Sequence, residues 1–184
     1  APYLLEGIGK GELAKKLHGP AILFPLVIFG ITLSFFHQSS LGAMFLIVPT
    51  KLSHLWWTTV LPYNFYLSCI AAGLAMVSCE GYLAARIFKH EEEMDIMQGL
   101  AKGTAIALLV YLTLRLGDLV VKGNLALAFD GSTTGALFLI EVVGGAVVPM
   151  LLLALPGLRR SAGRIFAVQL LVIGGVIMNR FNVN

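Results

Sequence analysis

The sequence has few charged residues. Asp, Glu, Lys and Arg make up 12% of its 184 residues, whereas 58% are hydrophobic, and a soluble domain carries roughly 25% charged residues. This shortage excludes an ordinary soluble domain, and the surplus apolar surface is expected to face lipid. The net charge of +3 does not indicate nucleic-acid binding, because the basic residues lie in short segments between apolar runs.

Cysteine is also scarce. The two cysteines, Cys69 and Cys79, lie on one predicted helix and are separated by roughly 15 Å, which excludes a disulfide between them. No CxxC motif occurs, so the sequence encodes neither an iron–sulfur site nor a zinc ribbon, and we expect no metal site. The chain begins at Ala1 rather than at a methionine, so we expect a processed protein or a part of a longer subunit.

Long apolar runs are abundant. A membrane-spanning helix needs about 20 apolar residues, and a shorter stretch, 37–48, is predicted to be an interfacial or re-entrant segment. Five segments qualify as spans: 20–36, 61–88, 104–121, 135–155 and 163–179. The sequence therefore predicts an all-α integral membrane protein with five transmembrane helices in a single membrane domain, residues 1–184.

The basic residues predict the orientation of these spans. From the N-terminus onwards, the six segments outside the spans hold 3, 1, 3, 1, 3 and 1 Lys or Arg residues when Arg86 and Arg164, near the ends of two spans, are counted with the adjoining segments. Because positive charge accumulates in cytoplasmic loops, residues 1–18 are expected in the cytoplasm and the C-terminus outside it. Trp56, Trp57 and Tyr63 then form an aromatic belt on the outer side. We expect a multi-pass protein of the cytoplasmic membrane of a prokaryote.

Ionisable residues inside spans are costly and mostly functional. Arg115 and Asp118 are three residues apart on one helix face and can pair, either as a structural ion pair or as part of a functional cavity. Glu80, near the cytoplasmic end of its helix, is either a proton entry point or an interfacial carboxylate beside Arg86. Five ionisable groups are expected in one outer layer: His37, Arg115, Asp118, Glu141 and Arg180.

Polar residues follow the first apolar run at His37, Gln38 and Ser39. They suit a quinone headgroup, whose carbonyls accept hydrogen bonds and whose reduction needs protons that an imidazole can supply. By spacing alone, a polar helix end wetted by interfacial water is the favoured explanation. Haem ligation by two histidines needs a second histidine at membrane depth. His18, His54 and His90 all lie in loops, so we expect no haem.

Several short blocks resemble the NrfD/HybB (polysulfide reductase membrane subunit) family, most closely the HybB branch associated with nickel–iron hydrogenases. The blocks are His37-Gln38-Ser39-Ser40-Leu41-Gly42, His54-Leu55-Trp56, Glu80-Gly81, Leu114-Arg115-Leu116-Gly117-Asp118-Leu119, Leu125-Ala126-Leu127-Ala128-Phe129 and Ile140-Glu141-Val142. The similarity covers nearly the whole chain, which is similar to the second half of the two-bundle fold of that family.

The resemblance implies a quinone-reactive subunit that is not catalytic on its own. It would exchange electrons between an extracytoplasmic, ferredoxin-like iron–sulfur subunit and the quinone pool, with or without proton translocation. Menaquinone or ubiquinone would be the bound substrate. The iron–sulfur clusters would lie in the partner, which connects to a catalytic subunit of hydrogenase or molybdopterin-reductase type.

These expectations assign roles to individual residues. His37 and Asp118 would exchange protons with quinone, and Glu80 would open a path to the cytoplasm. Arg180 would act structurally or electrostatically, and the partner would dock on residues 51–62 and 122–134. Quinone would be held by His37, Gln38, Ser39, Arg115, Asp118 and Glu141. Two alternatives remain: half of a proton- or ion-conducting transporter, and a purely structural membrane anchor.

Overall fold

The computed structural model describes residues 20–47, 52–53, 55–89 and 93–183, and it contains no strand within them. Its main helices are α1 (Pro20–Met44), α2 (Leu61–Phe88), α3 (Met94–Val121), α4 (Thr133–Leu139), α5 (Val148–Ala154) and α6 (Ala162–Val183). A π-helical segment, Ile140–Val147, joins α4 to α5 into one span. Two short 3-10 helices, Asn124–Phe129 and Leu158–Arg160, precede α4 and α6.

Five helical stretches are long and apolar enough to cross a membrane, which confirms the predicted all-α membrane fold. The structure differs from the sequence prediction after His37, because α1 continues without a break to Met44. Polar side chains alone do not end a helix, and no proline interrupts the chain between Pro25 and Met44. The helix α3 likewise begins at Met94, ahead of the predicted span.

The chain divides into two compact units, Ala1–His37 and Gln38–Asn184. In the first unit, the described part of α1 has no buried residue in its spanning window, and its large apolar side chains are exposed. The predicted single membrane domain therefore stays a prediction.

The second unit is a bundle held by close contacts between helices. Helix α2 packs against α3 and α6, α6 packs against the π-helical segment, and α3 packs against α5. Small side chains line these contacts: Ala71, Ala75, Ala101 and Thr104 are fully buried. In a membrane, small residues favour association because they let helix backbones approach each other closely.

The π-helical segment coincides with the closest backbone approach in the described bundle. A Cβ atom on Gly145 would overlap the backbone of Gly175 on α6, and a Cβ on Gly175 would overlap Gly145, whereas Gly144 has open space around it. Pro149 follows in the first turn of α5, where it has no N–H for the carbonyl four residues earlier. A π-bulge is one way in which a helix accommodates such a break. The same π-helical segment also carries Glu141.

Candidate functional site

The centre of the candidate site is the carboxylate of Glu141, which is buried in the π-helical segment. Its Oε1 atom forms an ion pair with Nη2 of Arg115 at 2.9 Å and accepts a hydrogen bond from Nδ2 of Asn179 at 2.7 Å. Its Oε2 atom accepts hydrogen bonds from Nε1 of Trp56 at 2.9 Å and from Nδ2 of Asn182 at 2.8 Å. We call these five residues the Glu141 network. Its donors come from α3, α6 and the segment before α2.

Arg115 is held on several sides. Its side chain is 4% exposed, and its Nη1 atom donates a hydrogen bond to the hydroxyl of Tyr111 at 2.7 Å. Its guanidinium carbon lies 5.7 Å from the ring centre of Tyr111 and 5.2 Å from that of Phe138, within the range of a cation–π interaction. Phe138 in turn meets Trp56 edge to face. The cation is therefore buried among aromatic rings and balanced by one carboxylate.

A second guanidinium, that of Arg180, joins the Glu141 network through an amide. Its Nη1 atom donates to Oδ1 of Asn179 at 2.7 Å, and its Nη2 atom donates to Oγ of Ser68 at 2.9 Å. The guanidinium carbon lies 3.7 Å from the ring centre of Phe65. Asn179 therefore bridges Arg180 and Glu141. Arg180 is thus connected to Glu141 and, through it, to Arg115, which are two of the four residues with which the sequence grouped it.

A small cavity with four polar side chains in its wall borders this network. Its volume is about 20 Å³, and its wall includes Ser68, Tyr111, Glu141 and Asn179. Such a volume accommodates one water molecule, and these side chains offer more than the two polar partners that a buried water needs. The cavity could thus join the hydroxyls of Ser68 and Tyr111 to the carboxylate of Glu141.

The predicted pairing of Arg115 with Asp118 is wrong. Arg115 pairs with Glu141, whereas Oδ2 of Asp118 lies 2.9 Å from Nζ of Lys122, one helical turn further along α3. The reason is the direction of helical side chains, which point back towards the N-terminus of their helix. Arg115 therefore reaches Tyr111, four residues before it, and Lys122 reaches back to Asp118.

The Asp118–Lys122 pair is more accessible than the Glu141 network. The side chain of Asp118 is 14% exposed and that of Lys122 27%, against 2% for Glu141. Nζ of Lys122 also lies 5.3 Å from the ring centre of Trp57. The two carboxylates near this end of α3 thus differ: Glu141 is enclosed by Arg115 and three hydrogen-bond donors, whereas Asp118 has one cationic partner and a partly exposed side chain, although its Oδ2 atom is buried against Lys122.

The structure does not bring all the predicted site residues together. His37 is exposed at the end of the first unit, and Gln38 and Ser39 are half-buried at the start of the second. Gly42, one turn further along α1, packs against Pro62 at the start of α2. The second unit thus places Gln38 and Ser39 about one turn from a helix contact, and none of the hydrogen bonds of the Glu141 network involves them.

Glu80 lies apart from the Glu141 network. It is twelve residues beyond Ser68 on α2, which is about 18 Å along the helix. Its side chain is exposed and borders an apolar groove of about 540 Å³ between α2 and α6. Arg86, the alternative partner, lies over the ring of Tyr82 instead, 5.4 Å from its centre.

Sequence reasoning missed four members of the site. Trp56 looked like part of an aromatic belt, yet its indole N–H donates to Glu141. Asn179 and Asn182 donate to the same carboxylate, and Tyr111 accepts from Arg115. Two signals were available in the sequence. One is a tyrosine four residues before the buried arginine, and the other is the pair of amides that flank Arg180. Within the described residues, no three His, Cys, Asp or Glu side chains are placed to hold a metal ion.

One titratable group outside the spans has a shifted pKa. The hydroxyl and the backbone N–H of Ser132 interact with the carboxylate of Asp130, and the backbone N–H donates to it at 2.8 Å. These hydrogen bonds favour the charged form and hold the pKa of Asp130 below its usual value. Asp130 is exposed in the connection before α4, so this shift describes the loop and not the buried site.

The spans and the buried ion pair define a multi-pass helical membrane protein with a charged network inside its bundle. The model of the family described as polysulphide reductase, NrfD matches residues 17–183. The chain therefore belongs to the NrfD polysulphide reductase family, as the sequence blocks indicated.

Two curated relatives match much of the chain. A protein of Nitratidesulfovibrio vulgaris (strain Hildenborough) is 35% identical over 192 residues, which cover 100% of this chain and 48% of that protein. The probable Ni/Fe-hydrogenase 2 b-type cytochrome subunit of Escherichia coli K12 is 27% identical over 169 residues, 90% of this chain and 42% of that subunit. The chain thus spans about half the length of the curated relatives it matches. No solved structure matches it significantly.

The name of the Escherichia coli relative overturns the expectation of a subunit without haem, because that protein is named a b-type cytochrome subunit. The expectation rested on the histidines at membrane depth in this chain alone, whereas a haem can also take ligands from another part of a longer protein. Among the residues that the structure describes, His37 is the one histidine. It could supply one axial ligand. The described residues do not form a bis-histidine site by themselves.

Proposed function

We propose that the chain is part of a quinone-reactive membrane subunit of a respiratory oxidoreductase. The subunit exchanges electrons between an extracytoplasmic iron–sulfur subunit and the membrane quinone pool. Membership of the NrfD family and the hydrogenase subunit among its relatives support this class. Menaquinone or ubiquinone is the bound substrate, and a catalytic subunit is reached through the iron–sulfur partner.

The observation that carries the proposal is the contrast between two carboxylates near the same end of α3. Glu141 is enclosed, and its two oxygens are occupied by Arg115, Trp56 and two amides. Asp118 is partly accessible and has one cationic partner, Lys122. Such a contrast suits an enclosed pair that fixes the helices and a partly exposed carboxylate that exchanges protons.

Quinone chemistry explains why an open carboxylate is useful. Reduction of one quinone to quinol takes two electrons from the iron–sulfur partner and two protons, one on each carbonyl oxygen, and oxidation reverses both transfers. In our proposal, Asp118 and His37 exchange these protons, and Arg115 stabilises negative charge on the quinone through its field. Gln38, Ser39 and Glu141 complete the polar surroundings of the headgroup. Glu80, exposed on α2, contributes a path to the opposite side of the membrane.

The docking surface that we propose for the partner lies in residues 51–62 and 122–134. In the described part of this surface, the 3-10 helix Asn124–Phe129 exposes apolar side chains outside the spans, with Phe129 71% exposed. An exposed apolar patch beyond the membrane is typical of a protein–protein contact. This surface follows directly after Asp118 and Lys122, so an iron–sulfur cluster docked there would lie close to the proposed quinone.

The test uses the full-length subunit in its complex, purified in mild detergent. We expect tightly bound quinone in the extract, and electron transfer from the reduced partner to an added short-chain quinone. Proton flux in vesicles without any electron donor, together with an absence of bound quinone, would support a transporter half instead. Absence of both activities, with an intact complex, would leave a structural anchor.

The proposal also includes an orientation, with residues 1–18 in the cytoplasm and the C-terminus outside. Glu93 and Ala126 are exposed beyond opposite ends of α3, and neither change removes a basic residue. In a variant with Cys69 and Cys79 replaced, we expect Glu93→Cys to be labelled from the cytoplasmic side and Ala126→Cys from the other. An impermeant maleimide on intact cells and on inverted vesicles measures this. Labelling of both positions from the same side would contradict the proposed topology.

A further inference from the structure

An apolar groove runs between α3 and α5, away from the Glu141 network. Its volume is about 440 Å³, and its walls include Ile106, Leu109, Met150 and Leu153. Ile106 is 63% exposed and Leu109 53% exposed, so the groove opens on the outside of the second unit. It lies along two membrane spans, where the surrounding solvent is lipid.

One end of this groove carries two positive charges. Lys102 on α3 is exposed, and Arg159 lies in the 3-10 helix that follows α5. Nη2 of Arg159 donates a hydrogen bond to the carbonyl of Ala154 at 3.3 Å. Its Nε atom is buried and has no partner within the described residues. No acidic side chain lines the groove, so both charges lack a counter-ion there.

Two cations at the end of an apolar groove complement one kind of ligand. We infer that this groove binds an anionic phospholipid, with its phosphate on Lys102 and Arg159 and an acyl chain along Ile106 and Leu109. Guanidinium and ammonium groups are strong donors to phosphate, and basic pockets between membrane helices bind anionic headgroups. Lys102 and Leu109 are about 10 Å apart along α3, enough for the first part of an acyl chain.

The positive charges of Lys102 and Arg159 favour an anionic lipid over other occupants of the groove. A zwitterionic lipid would bring its own cation next to Lys102 and Arg159, and an apolar helix from the rest of the protein would leave both charges uncompensated. An anionic headgroup neutralises them and leaves the acyl chain in contact with apolar walls. This inference does not depend on quinone chemistry.

The test compares two double variants of the full-length subunit in its complex. Lys102→Gln with Arg159→Gln removes the charges of the groove. The control, Arg160→Gln with Arg164→Gln, removes two exposed charges nearby in the chain that do not line it. Phosphatidylglycerol is titrated into delipidated complex, and binding is followed by native mass spectrometry and by the midpoint of thermal unfolding. We expect at least a tenfold loss of affinity in the first variant and little change in the control.

Three outcomes would overturn the inference. One is an equal loss in both variants, which would indicate a general charge effect, and another is unchanged binding in the first variant. The third is equal binding of phosphatidylcholine by the native complex. If the double variant fails to fold, the single variant Lys102→Gln is tested in the same binding assay, because Lys102 is exposed and the change leaves Arg159 in place. That single change should still weaken phosphatidylglycerol binding severalfold, and unchanged binding would contradict the site.

Discussion

Replacing Glu141 with Gln is expected to prevent most of the subunit from assembling. The change leaves Arg115 buried without a counter-ion, and losing one partner of a buried pair costs about 3–5 kcal/mol. It also turns an amide N–H₂ towards the donors of Trp56 or Asn179, which now face a carboxylate oxygen. Because a folded protein has a net stability of about 5–15 kcal/mol, this loss is large. The yield of intact complex and the midpoint of thermal unfolding measure it.

A second change separates the ion pair from other effects of the substitution. Arg115→Met combined with Glu141→Gln removes both charges, and replacing a whole buried pair by uncharged side chains is often nearly neutral. We therefore expect the double variant to assemble better than Glu141→Gln alone, as a double-mutant cycle would quantify. Normal assembly of the single variant, or no gain in the double one, would show that the pair does not hold the bundle.

The spans were predictable because lipid imposes a simple rule on the sequence. A helix must present about 20 apolar residues to cross a bilayer, and five such stretches stand out in this chain. The end of α1 was not predictable from the same rule. His37, Gln38 and Ser39 are polar, yet the helix continues to Met44. Polar side chains indicate that a stretch of helix is in polar surroundings, but they do not indicate that the helix ends there.

The candidate site was predictable in its residues but not in its connections. Placing a charged side chain inside a membrane is costly, so Arg115 and Glu141 stand out wherever the ends of the spans are drawn. Their contact depends on the relative rotation of α3 and the π-helical segment. The position of the π-helical segment depends in turn on the close approach of Gly145 to Gly175 on α6, which residue spacing does not encode. A pairing rule within one helix therefore chose Asp118 for Arg115.

Glu141 is enclosed within its network, whereas the side chain of Asp118 is partly exposed. Substitutions of these two carboxylates should therefore have different effects. Asp118→Asn keeps the shape of the side chain and removes its charge and its proton. Since Arg115 is paired with Glu141, this change does not remove the counter-ion of that guanidinium. It breaks the pair with Lys122, whose side chain is 27% exposed although its Nζ atom is buried, so the cost is expected to be smaller than that of breaking a fully buried pair. We therefore expect the complex to form in nearly normal amounts.

Quinone turnover of the Asp118→Asn complex should nevertheless fall about 100-fold or more, because a positioned proton donor contributes about 10²–10⁴-fold to a rate. The partner's activity with an artificial soluble acceptor should stay unchanged, since that acceptor does not use the proton of Asp118. Lys122→Gln is the matched control: it breaks the same ion pair but keeps the carboxylate, so most turnover should remain. If the two variants lose turnover equally, the pair matters as a structural contact. If Asp118→Asn turns over normally, Asp118 does not exchange protons with quinone, and the open carboxylate no longer supports the proposed site.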